Sequence, residues 1–189
     1  MKKLIAMLLV LTMAMGLAAC GTSGTEDKGN VNVPASALEI LEKTWGAVAE
    51  DSKFYVMGGD MNNMVENAPG TFDPKDEGIT GTLLVPAEQA ANVDQAASLM
   101  HGMLANNFTC GVFHMAQGAD AAAFAEAMHT AISTNPWMCG MPEKMLIAVV
   151  GGEYVLAAFG INDAMTPFET AFNAVYADAD VKCSEAITG

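Results

Sequence analysis

The sequence of 189 residues contains no arginine. Its eight basic side chains are all lysine, set against 22 aspartates and glutamates. Arginine supplies the planar fork that grips phosphate and carboxylate, so arginine-clamped phosphoryl chemistry is excluded. A formal charge of −14 repels nucleic-acid phosphate, and no nucleic-acid partner is expected. Histidine is scarce, at three residues, and the familiar catalytic signatures are missing. There is no Gly-x-Ser-x-Gly elbow, no His-Glu-x-x-His and no Gly-x-x-x-x-Gly-Lys. The acidic stretches Asp73–Glu77 and Asp178–Asp180 lack the spacing of a calcium loop. Nothing calls for a cofactor or a dedicated metal site, and a non-catalytic role is the expectation. The reading with most chemistry in it pairs Cys139 as a nucleophile with His114 as a base, on a lone cysteine and a lone histidine.

What is present begins at the N-terminus. Met1-Lys2-Lys3 is a positive start, and Leu4 to Gly16 is an uncharged apolar run. That run is too short to span a bilayer, which takes about 20 apolar residues, and has the length of a signal-peptide core. It ends in Leu17-Ala18-Ala19-Cys20, which resembles the bacterial lipobox. The resemblance implies that residues 1–19 are a signal segment and that Cys20 is lipidated and starts the mature chain. Residues 20–35 are small and polar and read as a flexible tether. Removing residues 1–19 leaves 6 lysines against 22 acids, a formal charge of −16. The expected location is the extracytoplasmic face of a cell membrane, held there by lipid.

Residues 36–189 read as one α+β domain. Ser36 and Glu39 fit a capping box, with Leu38, Leu41, Trp45 and Val48 at helical spacing. A short strand is predicted over 53–57, a loop over 60–78 and a strand over 79–85. The alanine-rich stretch 87–106 carries Val93, Ala97, Met100 and Leu104 at helical spacing and predicts a second helix. A strand over 108–115 follows, then a helix capped by Asp120 with Phe124, Met128 and Ile132 buried. Two apolar runs, 145–150 and 154–159, flank Gly151-Gly152 and predict a hairpin inside the sheet. Thr166-Pro167-Phe168-Glu169 predicts the start of the last helix. The order αββαβαββα suggests an antiparallel sheet with helices packed on one face, a ferredoxin-like sandwich, the first helix covering part of the second face.

Several segments form a recognisable set: Val56-Met57-Gly58-Gly59-Asp60, Val65 to Gly70, Phe113-His114, Phe124, Trp137 to Lys144, and Gly152-Glu153-Tyr154-Val155. With the lipobox, they resemble small lipoproteins of Gram-positive gut anaerobes that carry the label of bacteriocin transport accessory proteins. The likeness covers roughly residues 36–182. It implies an accessory or binding role, with an unidentified protein, peptide or small molecule as partner. Some proteins under that label are thioredoxin-like, but Trp137-Met138-Cys139-Gly140-Met141-Pro142 lacks the second cysteine that dithiol exchange needs.

Two further readings concern sulfur. Cys110 and Cys139 fall at one edge of the sheet if the helix between their strands makes those strands parallel, so they are the favoured disulfide pair; free thiols are the alternative. Methionine beside histidine, in Met100-His101-Gly102-Met103, His114-Met115 and Met128-His129, supplies soft donors suited to copper. The opposing reading is that these methionines fill the core. As a contact surface the loop of Trp137, Met138, Cys139 and Met141 is the strongest candidate, because loops on a rigid sheet edge are where binding groups sit; the opposing reading is that Trp137 and Met138 fold back to seal the end of the core.

Overall fold

In the computed structural model, which describes residues 33–188, Ser36 caps the first helix as its sequence predicts. The Ser36 hydroxyl accepts from the Glu39 amide at 3.1 Å, and the Glu39 carboxylate accepts from the Ala35 amide at 2.6 Å. The helix, α1, runs Ala37–Ala47 and buries Ile40, Leu41 and Trp45. The expected signal segment, Cys20 and the tether as far as residue 32 lie outside the described residues.

Three strands follow: β1 (Val56–Gly58), β2 (Val65–Glu66) and β3 (Gly70–Phe72). After the short helix α2 (Gly78–Gly81) come β4 (Val93–His101) and β5 (Phe108–Met115). Helix α3 (Ala121–Thr134) is capped by Asp120, which accepts from the amides of Ala122 and Ala123, and it buries Phe124, Met128 and Ile132 as predicted. β6 (Lys144–Val150) and β7 (Tyr154–Gly160) form the predicted hairpin. Its three-residue turn, 151–153, places Gly151 and Gly152 at φ +61° and +79°, the left-handed conformation that such a tight reversal needs. Helix α4 (Asn162–Val175) and strand β8 (Asp180–Ala186) complete the fold.

The fold is α+β: an open, eight-stranded, antiparallel sheet with four helices among the described residues. The strand order is β2-β1-β4-β5-β7-β6-β8, with β3 also on β4. β1 and β3 share one side of β4 end to end: Gly58 faces Leu99, and Gly70 faces Ser98. Helices cover both faces rather than one. Leu99, Phe108, Val112, Leu146 and Leu156 pack under α1 and α4, and Phe113, Ile147, Val155 and Phe159 pack under α3. Both inner strands of the hairpin are therefore apolar on both sides.

Four expectations are corrected. Residues 87–106 are not a helix: their centre is β4, because the segment lies between two helix layers and its alanines fit where both sides are covered. Ala97 is buried on the α1 side and Ala96 on the α3 side. Residues 79–85 are not a strand: Ile79, Leu83 and Val85 plug the core from α2 and the turn after it, with Leu84 at φ +59°. The last helix starts four residues before Thr166, at Asn162, whose amide donates to Glu143 Oε2 at 2.8 Å. Pro167 therefore sits inside the helix; the acceptor it leaves without a donor is the carbonyl of Asp163, an exposed residue. Finally, residues 60–78 are not all loop, since β2 and β3 lie within them; β8 is a further strand with no sequence expectation behind it. It is a largely exposed edge strand, irregular opposite Ile147 and Ala148, and it carries Asp180, Lys182 and Glu185. Such charges and bulges discourage further strand pairing.

The crossing between β1 and β3 is tied together by a buried carboxylate. Asp60 is 3% exposed. Its oxygens accept from the amides of Asn62 at 2.8 Å, Asn63 at 3.0 Å and Asp73 at 3.0 Å, and from the Asn63 side chain. The Asp73 amide is the largest of the influences that hold the Asp60 carboxyl below its ordinary value of 3.8, against the opposing effect of burial. A depressed folded value means that the ionised form stabilises the fold above the ordinary value. That contribution disappears as the pH falls through the depressed value. Asp60→Asn keeps an acceptor but removes the titration. Comparing urea midpoints at pH 7 and in acid, we expect a smaller acid-induced loss in the variant than in the parent. Equal losses would show that Asp60 contributes nothing to the pH dependence.

Candidate functional site

The ends of β4, β7 and β8, and the starts of β5 and β6 beside them, bring several loops to one end of the sheet. His101 closes β4. Its ring stacks on Phe54, with centroids 5.3 Å apart, and its Nδ1 accepts from the amides of Met103 at 3.2 Å and Leu104 at 3.4 Å. Those bonds fix a turn that leaves Met103 84% and Leu104 38% exposed. Tyr55, itself half-exposed, packs its ring against Gly102, where a Cβ would lie 2.3 Å from ring carbons.

Asn106 joins this turn to the loop between α3 and β6. Its side-chain amide donates to the carbonyls of Met138 and Gly140, both at 2.7 Å. Cys139 and Gly140 between them have φ +62° and +114°. A left-handed cysteine costs about 1 kcal/mol or more, so the Asn106 clamp and the buried Pro142 hold the loop in a shape it would not choose alone. The result turns Met138 outward, at 79% exposure, with Met141 half-exposed beside it. Next to the His101 turn is a cleft of about 660 Å³ with Phe54, His101, Ile161 and Pro167 in its wall and the exposed carboxylates of Asp51 and Asp163 at its rim.

The residues expected to make a contact surface therefore divide. Trp137 packs on Phe159, centroids 5.0 Å apart, as a partly buried edge of the core. It anchors the loop and is not its contact face. Met138, Cys139 and Met141 are exposed. Met103, Leu104 and Tyr55 belong to the same end and were not identified from sequence; the apolar residues flanking Gly102 carried a helical reading instead.

The structure keeps apart other residues that the sequence had joined. Cys110, Cys139 and Cys183 are free. β5 and β6 do run parallel, on either side of β7. But Cys110 points under α1 and α4, whereas the Cys139 loop is anchored by Trp137 on the α3 face, so the expected Cys110–Cys139 bridge is not made. Burial pushes the Cys110 thiol well up, and burial, then Glu185, pushes Cys183 up to about 11. Neither is a thiolate at neutral pH. His114 sits near the C-terminal end of β5, remote from Cys139, and its Nδ1 is 2.5 Å from Asp94 Oδ1. Cys139 and His114 do not form a nucleophile–base pair. Met115 and Met128 are buried core residues, so two of the three proposed soft-metal pairs have no accessible sulfur. Among the described residues no group of three or more His, Cys, Asp or Glu side chains is placed to hold a metal ion. Also among the described residues, no helix is long and apolar enough to cross a membrane.

Compared with known protein families, curated proteins and solved structures, the chain matches none.

Proposed function

We propose that the protein is a lipid-anchored, extracytoplasmic binding protein with a non-catalytic, accessory role, the role implied by the resemblance to lipoproteins of the bacteriocin-accessory type. The observation that carries the binding role is the exposure of Met103, Leu104, Met138 and Met141 on loops that His101 and Asn106 hold in place. Apolar groups exposed at random need no explanation, but a clustered set on clamped loops has the character of a contact surface. Methionine suits the role, because its flexible thioether adapts to different partners. The position of that surface fits an anchor at Cys20. The described chain begins with Val33 and Pro34 packed beside Gly151, in the β6–β7 turn. That turn is at the opposite end of the sheet from Met103, so the described chain enters the domain away from the methionines.

The anchoring half of the proposal is tested by Cys20→Ser. The expected outcome is a protein released into the medium or left as uncleaved precursor, while intact mass of the parent shows acyl groups on the N-terminal cysteine. Two acyl chains anchor durably, since each buried CH₂ contributes about 0.8 kcal/mol. An unmodified Cys20 in the parent would end the lipoprotein reading.

A further inference from the structure

We propose that the end of the sheet carrying Met103 and Met138 docks a cationic amphipathic helix of another polypeptide. The proposal rests on the binding role above and names the chemistry of its partner. Two features meet at one residue. His101 holds the Met103–Leu104 turn through its Nδ1, and the same ring forms the wall of the cleft rimmed by Asp51 and Asp163. An apolar ledge thus adjoins an acidic cleft.

The charges around the ledge have one free sign. Lys53 at this end is paired with Glu50 at 2.5 Å, and Lys144 is paired with Glu169. Asp51 and Asp163 have no cationic partner among the described residues, and the exposed Glu143 accepts only a backbone amide, that of Asn162. A partner that covered the methionines with an acidic or neutral face would leave those carboxylates beside a poorly hydrated interface, which is unfavourable. A helix with leucine-like side chains on one face and lysine or arginine at its border satisfies both features. Its apolar stripe covers Met103, Leu104, Met138 and Met141, and one of its cations enters the cleft between Asp51 and Asp163, above the stacked Phe54 and His101. This is the helix-in-groove mode of recognition, with a thioether ledge that repacks around the incoming side chains.

The test uses the full chain carrying Cys20→Ser, kept unacylated, titrated by calorimetry with a synthetic helix-forming peptide of leucine and lysine. A length of about 18 residues suffices for a stable bound helix. The expected result is saturable, one-to-one binding. The pair Met103→Gln with Met138→Gln and the pair Asp51→Asn with Asp163→Asn should each weaken it by about tenfold or more. Asp73→Asn with Asp76→Asn, on the loop after β3, should leave it unchanged. Replacing the lysines of the peptide by glutamine should also weaken binding. The proposal is overturned if the peptide does not saturate the protein, if the glutamine peptide binds as well, or if the Asp73 and Asp76 changes weaken binding as much as those at Asp51 and Asp163. Acylation is not read by this titration, so its failure and the failure of the anchoring reading are separate results.

Discussion

Leu156→Asp is expected to leave little folded protein at neutral pH and 25 °C. Leu156 is fully buried at the centre of β7, facing Val112 on one side and Ala148 on the other, beneath α1 and α4. Both edges of its strand are already paired, so the new carboxylate finds no free backbone amide there. Burying it ionised or forcing it to protonate costs several kcal/mol, on top of the lost leucine contacts. Against a total stability of about 5–15 kcal/mol for a domain, that is most or all of the margin. Val149→Asp, in the same hairpin, is a graded comparison. Val149 is 8% exposed and one residue from the end of β6, so its carboxylate can reach water with less disruption. Circular dichroism and a thermal melt decide the matter. If Leu156→Asp melted within a degree or two of the parent, the assignment of β7 to the sheet interior would be wrong.

The hairpin that supports this prediction was legible because its signals were local and agreed. Met145 to Val150 and Tyr154 to Phe159 are continuous apolar runs of strand length, and the short Gly151-Gly152-Glu153 link between them suits a tight reversal. The caps at Ser36 and Asp120 were legible for the same reason. β4 was not. Its alanines are good helix formers, and Val93, Ala97 and Met100 happen to fall at helical spacing. What makes the segment a strand lies elsewhere in the chain: β5 pairs along its length, and β1 and β3 line up on its other side. Tertiary context overrides intrinsic preference most easily where side chains are as small as alanine. The same misreading hid half of the candidate site, since a helix over 87–106 leaves no exposed turn at Met103. The loop at Met138 to Met141 was found from its glycine and proline, but the clamp that shapes it is Asn106, more than thirty residues away. No periodicity reports a contact of that kind.

The β1–β3 crossing joins the segments Val56 to Asp60 and Val65 to Gly70, and it supplies the second large effect. A Cβ on Gly70 would lie 2.6 Å from the amide nitrogen of Gly59, 2.8 Å from the carbonyl carbon of Gly58 and 2.9 Å from the Gly59 Cα. These are backbone atoms, so no side chain can swing aside to make room. Relief requires β1 and β3 to separate, yet both are held on β4. The crossing is also fixed by the Ser98 hydroxyl, which donates to the Gly59 carbonyl at 2.9 Å, and by Asp60, which accepts from the Asp73 amide at 3.0 Å. Gly70→Ala therefore adds overpacking of about 1–3 kcal/mol to the weakening of those bonds, each about 1 kcal/mol, and a total near 3 kcal/mol is expected. Gly46→Ala is the matched control. It lies in α1 with nothing within 4 Å of the new methyl, and it should stabilise by as much as about 1 kcal/mol. Hydrogen exchange locates the damage: in Gly70→Ala the amides of Asn62, Asn63 and Asp73 should lose protection first, while those of β6 and β7 keep theirs. Were Gly70→Ala to unfold at the same urea concentration as the parent, the close approach of the two strands would be disproved, and with it the account of why this segment holds three glycines and a buried aspartate.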